Sequence, residues 1–109
     1  MTVRDNVEPI DGVIRITGIA PAKRGDRYIR QLASHWSHKF AVTESEGVIH
    51  IAFKIGGVAE FSTRGEQIII TIEANDRETA DQLKQVVATH LDRFAFRESP
   101  LDFDWKDAV

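Results

Sequence analysis

The sequence predicts an α+β domain in which an antiparallel sheet carries two helices on one face, in the order β-α-β-β-β-β-α-β. Three observations carry this expectation. Residues 24–40 and the stretch after Asn75 each repeat apolar residues at helical spacing. Between them, four short segments alternate apolar and polar residues and are separated by Gly-containing turns, as in an antiparallel meander. A last alternating segment sets Leu101, Phe103 and Trp105 against Asp102 and Asp104.

Residues 1–11 are polar, with Pro9 and Asp11-Gly12 as turn residues, and read as a flexible leader to a single domain at 12–109. A half-buried strand is expected at 13–19, and Pro21 suits the first turn of a helix that runs to about His38. On that helix Tyr28, Ile29, Leu32, Ala33, Trp36 and Phe40 share an arc of roughly 140°. Arg24, Arg27, Gln31, His35 and His38 gather within roughly 80° on its flank, so a polar, partly cationic edge runs beside the core face. Strands are expected at 40–43, 48–55, 58–62 and 68–73, with turns at 44–47, at Gly56-Gly57 and at 64–66. Asn75 is placed to cap the second helix, with Glu78 completing a capping box, and Ala80, Leu83, Val86, Val87, Leu91 and Phe94 form its apolar face. The C-terminal strand is expected to add to a sheet edge. As topology, the β-α-β4-α core resembles the arrangement of TATA-binding-protein-like folds.

With 109 residues, 42% of them hydrophobic, the chain fits one domain able to bury roughly two thirds of the surface its unfolded form exposes. Net charge is −3, pI is near 5.8 and no five like charges run together, which argues against nucleic acid or an anionic membrane as partner. The absence of cysteine removes disulfides, thiolate nucleophiles and thiolate metal sites. With no apolar run near the ~18 residues of a membrane span and no secretory h-region, a cytoplasmic location is expected.

Arg27-Tyr28-Ile29, Leu32 and His35-Trp36-Ser37-His38-Lys39-Phe40, together with His90-Leu91-Asp92-Arg93-Phe94-Ala95-Phe96-Arg97-Glu98, resemble the two signatures of the DUF2218 family of small bacterial proteins. The resemblance covers roughly residues 13–105. It implies a compact domain of a kind sometimes joined to siderophore-interacting flavin reductases, and hence an association with iron handling. This chain has no Gly-rich dinucleotide-binding turn of its own, so it would assist a siderophore-reductase partner rather than carry that chemistry.

Two groups of residues are chemically suggestive. His35 and His38, at i and i+3, could share an iron or zinc ion if His90, His50 or a carboxylate supplied a third ligand. The alternative is that His35 packs at the core edge and His38 is solvated at the helix end. His90 falls inside the apolar arc of the second helix and needs a partner, for which the Tyr28 hydroxyl, a backbone carbonyl or a strand carboxylate would serve. Arg93, Arg97 and Glu98 with Phe94 and Phe96 form the second group. Their guanidinium forks suit a carboxylate or phosphate, and Arg24 and Arg27 at the opening of the first helix would add to such a patch, where free N–H groups also favour anions; the alternative is ordinary surface ion pairing. The ligand-binding candidates are therefore Arg27, Tyr28, His35, His38, Lys39, His90, Arg93 and Arg97. No nucleophile elbow is present, and Gly56-Gly57 lacks the Lys-Ser/Thr and helix of a phosphate loop.

These readings favour a non-catalytic binding or accessory domain for a small molecule, linked to iron or siderophore metabolism. Two rivals stand beside it. One is a histidine-based metal-dependent enzyme; the other is an interaction module that pairs through a free sheet edge as a homodimer.

Overall fold

The computed structural model describes residues 13–107. The leader expected at 1–11 lies outside them. Eight elements follow in the expected order: β1 (Ile14–Pro21), α1 (Gly25–Trp36), β2 (Ala41–Ser45), β3 (Val48–Phe53), β4 (Gly57–Arg64), β5 (Gln67–Ala74), α2 (Arg77–Phe94) and β6 (Asp104–Asp107). The strands form one antiparallel sheet in the order β2-β3-β4-β5-β1-β6. β2 to β5 are the meander, and β1 inserts between β5 and the C-terminal strand, which is an edge as expected.

Period-two alternation decides which face is covered. Ile49, Ile51 and Phe53 of β3, Ala59 and Phe61 of β4, and Ile68, Ile70 and Ile72 of β5 are buried, while their neighbours on the other face are at least partly exposed. Both helices lie on the buried side. α1 covers β3 to β5, and α2 covers β4, β5 and β1. Tyr28, Ile29, Leu32, Ala33 and Trp36 of α1 meet Ala80, Leu83, Val87 and Leu91 of α2 in one core with the sheet.

Several boundaries differ from expectation, each for a local reason. Pro21 ends β1 rather than opening the helix. The Ala22 N–H donates to Glu66 across the β1–β5 ladder, so the backbone nitrogen of Pro21 points to the opposite side, where β6 pairs only with residues 16–19 and no donor is needed. α1 stops at Trp36, because the Lys39 and Phe40 N–H groups both turn back to the Trp36 carbonyl and the Ser37 hydroxyl donates to the Ser34 carbonyl. His38 and Lys39 therefore sit in a turn, not on the helix. The β2–β3 turn shrinks to Glu46-Gly47 with φ of 52° and 80°, the doubly left-handed geometry of a two-residue hairpin. The cap of α2 is Asp76, not Asn75: its backbone is extended and its carboxylate accepts from the Thr79 N–H at 2.7 Å. β6 begins at Asp104, with Leu101 buried before it. Trp105 lies across β1 opposite Gly18, where a Cβ would fall 2.5 Å from the indole, so only glycine admits this contact.

Candidate functional site

The two helices run antiparallel across the core, as two contacts at opposite ends show. Near the start of α1, the Tyr28 hydroxyl donates to the Glu98 carboxylate beyond the end of α2. Near the end of α1, His35 approaches His90, with ring centroids 6.0 Å apart. Residues 24, 27, 28, 31 and 35 are spaced to share one flank of α1 and its approach, and 90, 93, 94 and 97 are spaced to share the facing flank of α2 and its exit. The flanks border a cleft.

The cleft encloses a cavity of about 340 Å³, walled on one side by Arg24, Arg27, Tyr28 and Gln31 and on the other by Arg93, Phe94, Phe96 and Arg97. Four arginines thus line one hollow. Among the described residues no carboxylate comes within 4.0 Å of any of the four, whereas Arg30 and Arg77 elsewhere are engaged by Glu44 and Asp107. The Arg97 guanidinium lies over the Phe96 ring, 5.5 Å from its centroid.

Glu98 lies behind the Tyr28 wall of this cleft, bonded to the Tyr28 hydroxyl. Besides the Tyr28 hydroxyl it accepts from the Lys23 N–H at 2.8 Å and the Arg24 N–H at 3.3 Å. The protein's own carboxylate thus takes the two N–H groups just before α1, at Lys23 and Arg24, and no side chain caps the first turn of the helix itself. These bonds, that from Tyr28 first, hold the Glu98 carboxyl below the usual carboxylate range, and the same bond pushes the Tyr28 phenol up.

Near the end of α1, His90 is half-buried, and its Nδ1 lies 2.8 Å from the Val86 carbonyl. Since a carbonyl only accepts, it is Nδ1–H that donates there. Of the three partners expected for His90, the backbone carbonyl is the one the fold supplies. Its ring also packs on Trp36 at 5.1 Å, and His35 packs on Phe94 at 5.9 Å.

The structure therefore divides the sequence candidates. Arg27, Tyr28, Arg93 and Arg97 line the cavity together, and His35 and His90 meet beside its Phe94 wall. His38 and Lys39 are exposed in the turn after α1 and do not line it. Among the described residues no three His, Asp or Glu side chains are placed to hold a metal ion, so His35, His38 and His90 do not form a ligand set. His50, the other third-ligand candidate, alternates with buried Ile49 and Ile51 and so stands on the sheet's uncovered face, 3.0 Å from Glu60. Gln31, Phe94 and Phe96 were visible as neighbours of the candidates, at helical spacing from Arg27 or beside Arg93 and Arg97. What sequence spacing could not supply was that the two flanks face each other.

The sequence profile of DUF2218, described as an uncharacterized protein conserved in bacteria, matches residues 17–106. The chain belongs to this family. The matched span runs from within β1 to within β6 and takes in all eight residues of the cavity wall. Among solved structures, the NMR structure of PA4090 from Pseudomonas aeruginosa is similar to this DUF2218 chain, with 26% identity and a TM-score of 0.72 over 85% of this chain and 95% of that one. No curated protein matches the chain. Among the described residues of this family member, no helix is long and apolar enough to cross a membrane.

Proposed function

We propose that this chain is a non-catalytic binding domain that holds a small anionic ligand in the cleft between α1 and α2. The observation that carries the reading is the meeting of Arg24, Arg27, Arg93 and Arg97 around one cavity without a carboxylate partner among the described residues. Four like charges drawn together repel, and in a protein of net charge −3 they are not dictated by overall composition. A carboxylate or phosphate would relieve that repulsion and fill the planar forks with paired hydrogen bonds. The cavity is near the lower end of the roughly 300–1,000 Å³ common for ligand pockets, which suits a small molecule rather than a peptide. An anionic iron chelate, or an acid from which one is made, falls within this ligand class. The link to iron or siderophore metabolism as an accessory domain draws its support from the family resemblance.

Titration with inorganic phosphate and with citrate, followed through the arginine Nε–Hε and backbone amide resonances, tests the reading. Saturable shifts confined to the cleft arginines and their neighbours are expected. Shifts that stay linear and spread evenly over the surface beyond about 10 mM ligand would overturn it.

A further inference from the structure

We infer that the ligand is a planar aromatic anion, its charge held by the cleft arginines and its ring laid against Phe96 at the cleft mouth; this rests on the cleft reading above. Phe96 is 70% exposed, the most of any large hydrophobic residue described. Two other large apolar residues, Ile19 and Ile55, are also exposed, but neither lines the cavity, whereas Phe96 does. Isolated apolar side chains on a surface need no explanation. An exposed phenyl ring forming the wall of a hollow lined by four arginines is a different case.

The wall is a graded one. Phe94 is half-buried and meets His35, and Phe96, on the same wall, is exposed to solvent. Arg97 lies over the Phe96 ring and faces the same cavity, so a π surface and a cation stand side by side. An inorganic anion would satisfy the guanidiniums and leave Phe96 wet. An aromatic acid or an aromatic phosphate ester would satisfy both, since stacking on an aromatic side chain or an arginine plane is available to any flat π system.

The experiment compares phenyl phosphate with methyl phosphate, and phthalate with succinate, by calorimetric or NMR titration of the full chain and of Phe96→Ala and Phe96→Leu. Because Phe96 is largely exposed, neither variant removes core packing. The inference expects each aromatic probe to bind about tenfold tighter than its aliphatic counterpart, and expects that advantage to vanish in Phe96→Ala and to fall in Phe96→Leu. A preference for phenyl phosphate over phthalate would assign a phosphate ester, and the reverse an aromatic carboxylate. Equal affinities within each pair, unchanged by Phe96→Ala, would overturn the inference and leave the anion cleft standing. Failure of all four probes and of inorganic phosphate to bind would overturn both.

Discussion

Two kinds of arginine stand on the same two helices and at their ends, and the difference between them is instructive. Arg30 and Arg77 each present both terminal nitrogens to one carboxylate, Glu44 at 3.2 and 2.9 Å and Asp107 at 3.1 and 2.9 Å. These pairs tie α1 to β2 and α2 to β6, so their charge is spent on the fold. Arg24, Arg27, Arg93 and Arg97 have no such partner among the described residues and face one another across a hollow. The same side chain is architectural in one place and available in the other. Net charge is blind to this, because an acidic chain can still concentrate cations in a single cleft.

The largest effect expected from this contrast is on binding. Arg27→Ala with Arg93→Ala removes one fork from each wall and is expected to weaken inorganic phosphate at least tenfold, on the order of one lost charged hydrogen bond. Thermal stability should hold or rise slightly, since like-charge repulsion is reduced. A large fall in Tm would show that the two side chains are structural and would erase the distinction.

Next in size is the contact behind the cleft's Tyr28 wall. Glu98→Gln keeps the shape and removes the charge, and should lower Tm by about 5 °C near neutral pH. The native Glu98 carboxyl is held below its ordinary 4.5, so its contribution is complete above that value and is lost as pH falls through the depressed native value. Tyr28 is raised above its ordinary 10.0, so its share is complete below that value and is lost as pH rises through the raised one. Wild type and variant should thus differ most between the two limits and converge beyond them. Parallel melting curves from pH 3 to 11 would contradict the assignment.

The smallest effect belongs to the paired arginines. Arg30→Ala and Arg77→Ala each remove an exposed ion pair and should move Tm by no more than about 2 °C while leaving phosphate affinity unchanged. If either weakened phosphate as much as the cleft variants, binding would reflect general surface charge.

The sheet was legible because its evidence is local. Ile49, Ile51 and Phe53, or Ile68, Ile70 and Ile72, declare a buried face through alternation alone. Boundaries were less so: Asn75 and Asp76 are adjacent and both able to cap, and which one adopts the extended backbone depends on the exit from β5. Likewise, nothing in the helical spacing of Trp36 to Phe40 announces that two N–H groups will share the Trp36 carbonyl. In the site, spacing marked the arginine pairs on or beside each helix, but their confrontation depends on antiparallel packing. The engagement of Glu98 with Tyr28 joins residues 70 positions apart and leaves no mark in either neighbourhood.

The place of β1 between β5 and β6 also bears on the order in which the molecule can assemble. Every hydrogen-bonded neighbour of this first strand lies at residue 67 or later, whereas β2 to β5 pair with one another along short hairpins. Closing the long loop delays β1 relative to the meander, since its entropic cost precedes any pairing. Pulse-labelled hydrogen exchange should therefore find β3–β5 amides protected before those of β1, and simultaneous protection would contradict this. The cleft between α1 and α2, which needs residues 24–31 and 93–97 brought together, would be among the last parts of the molecule to acquire its shape.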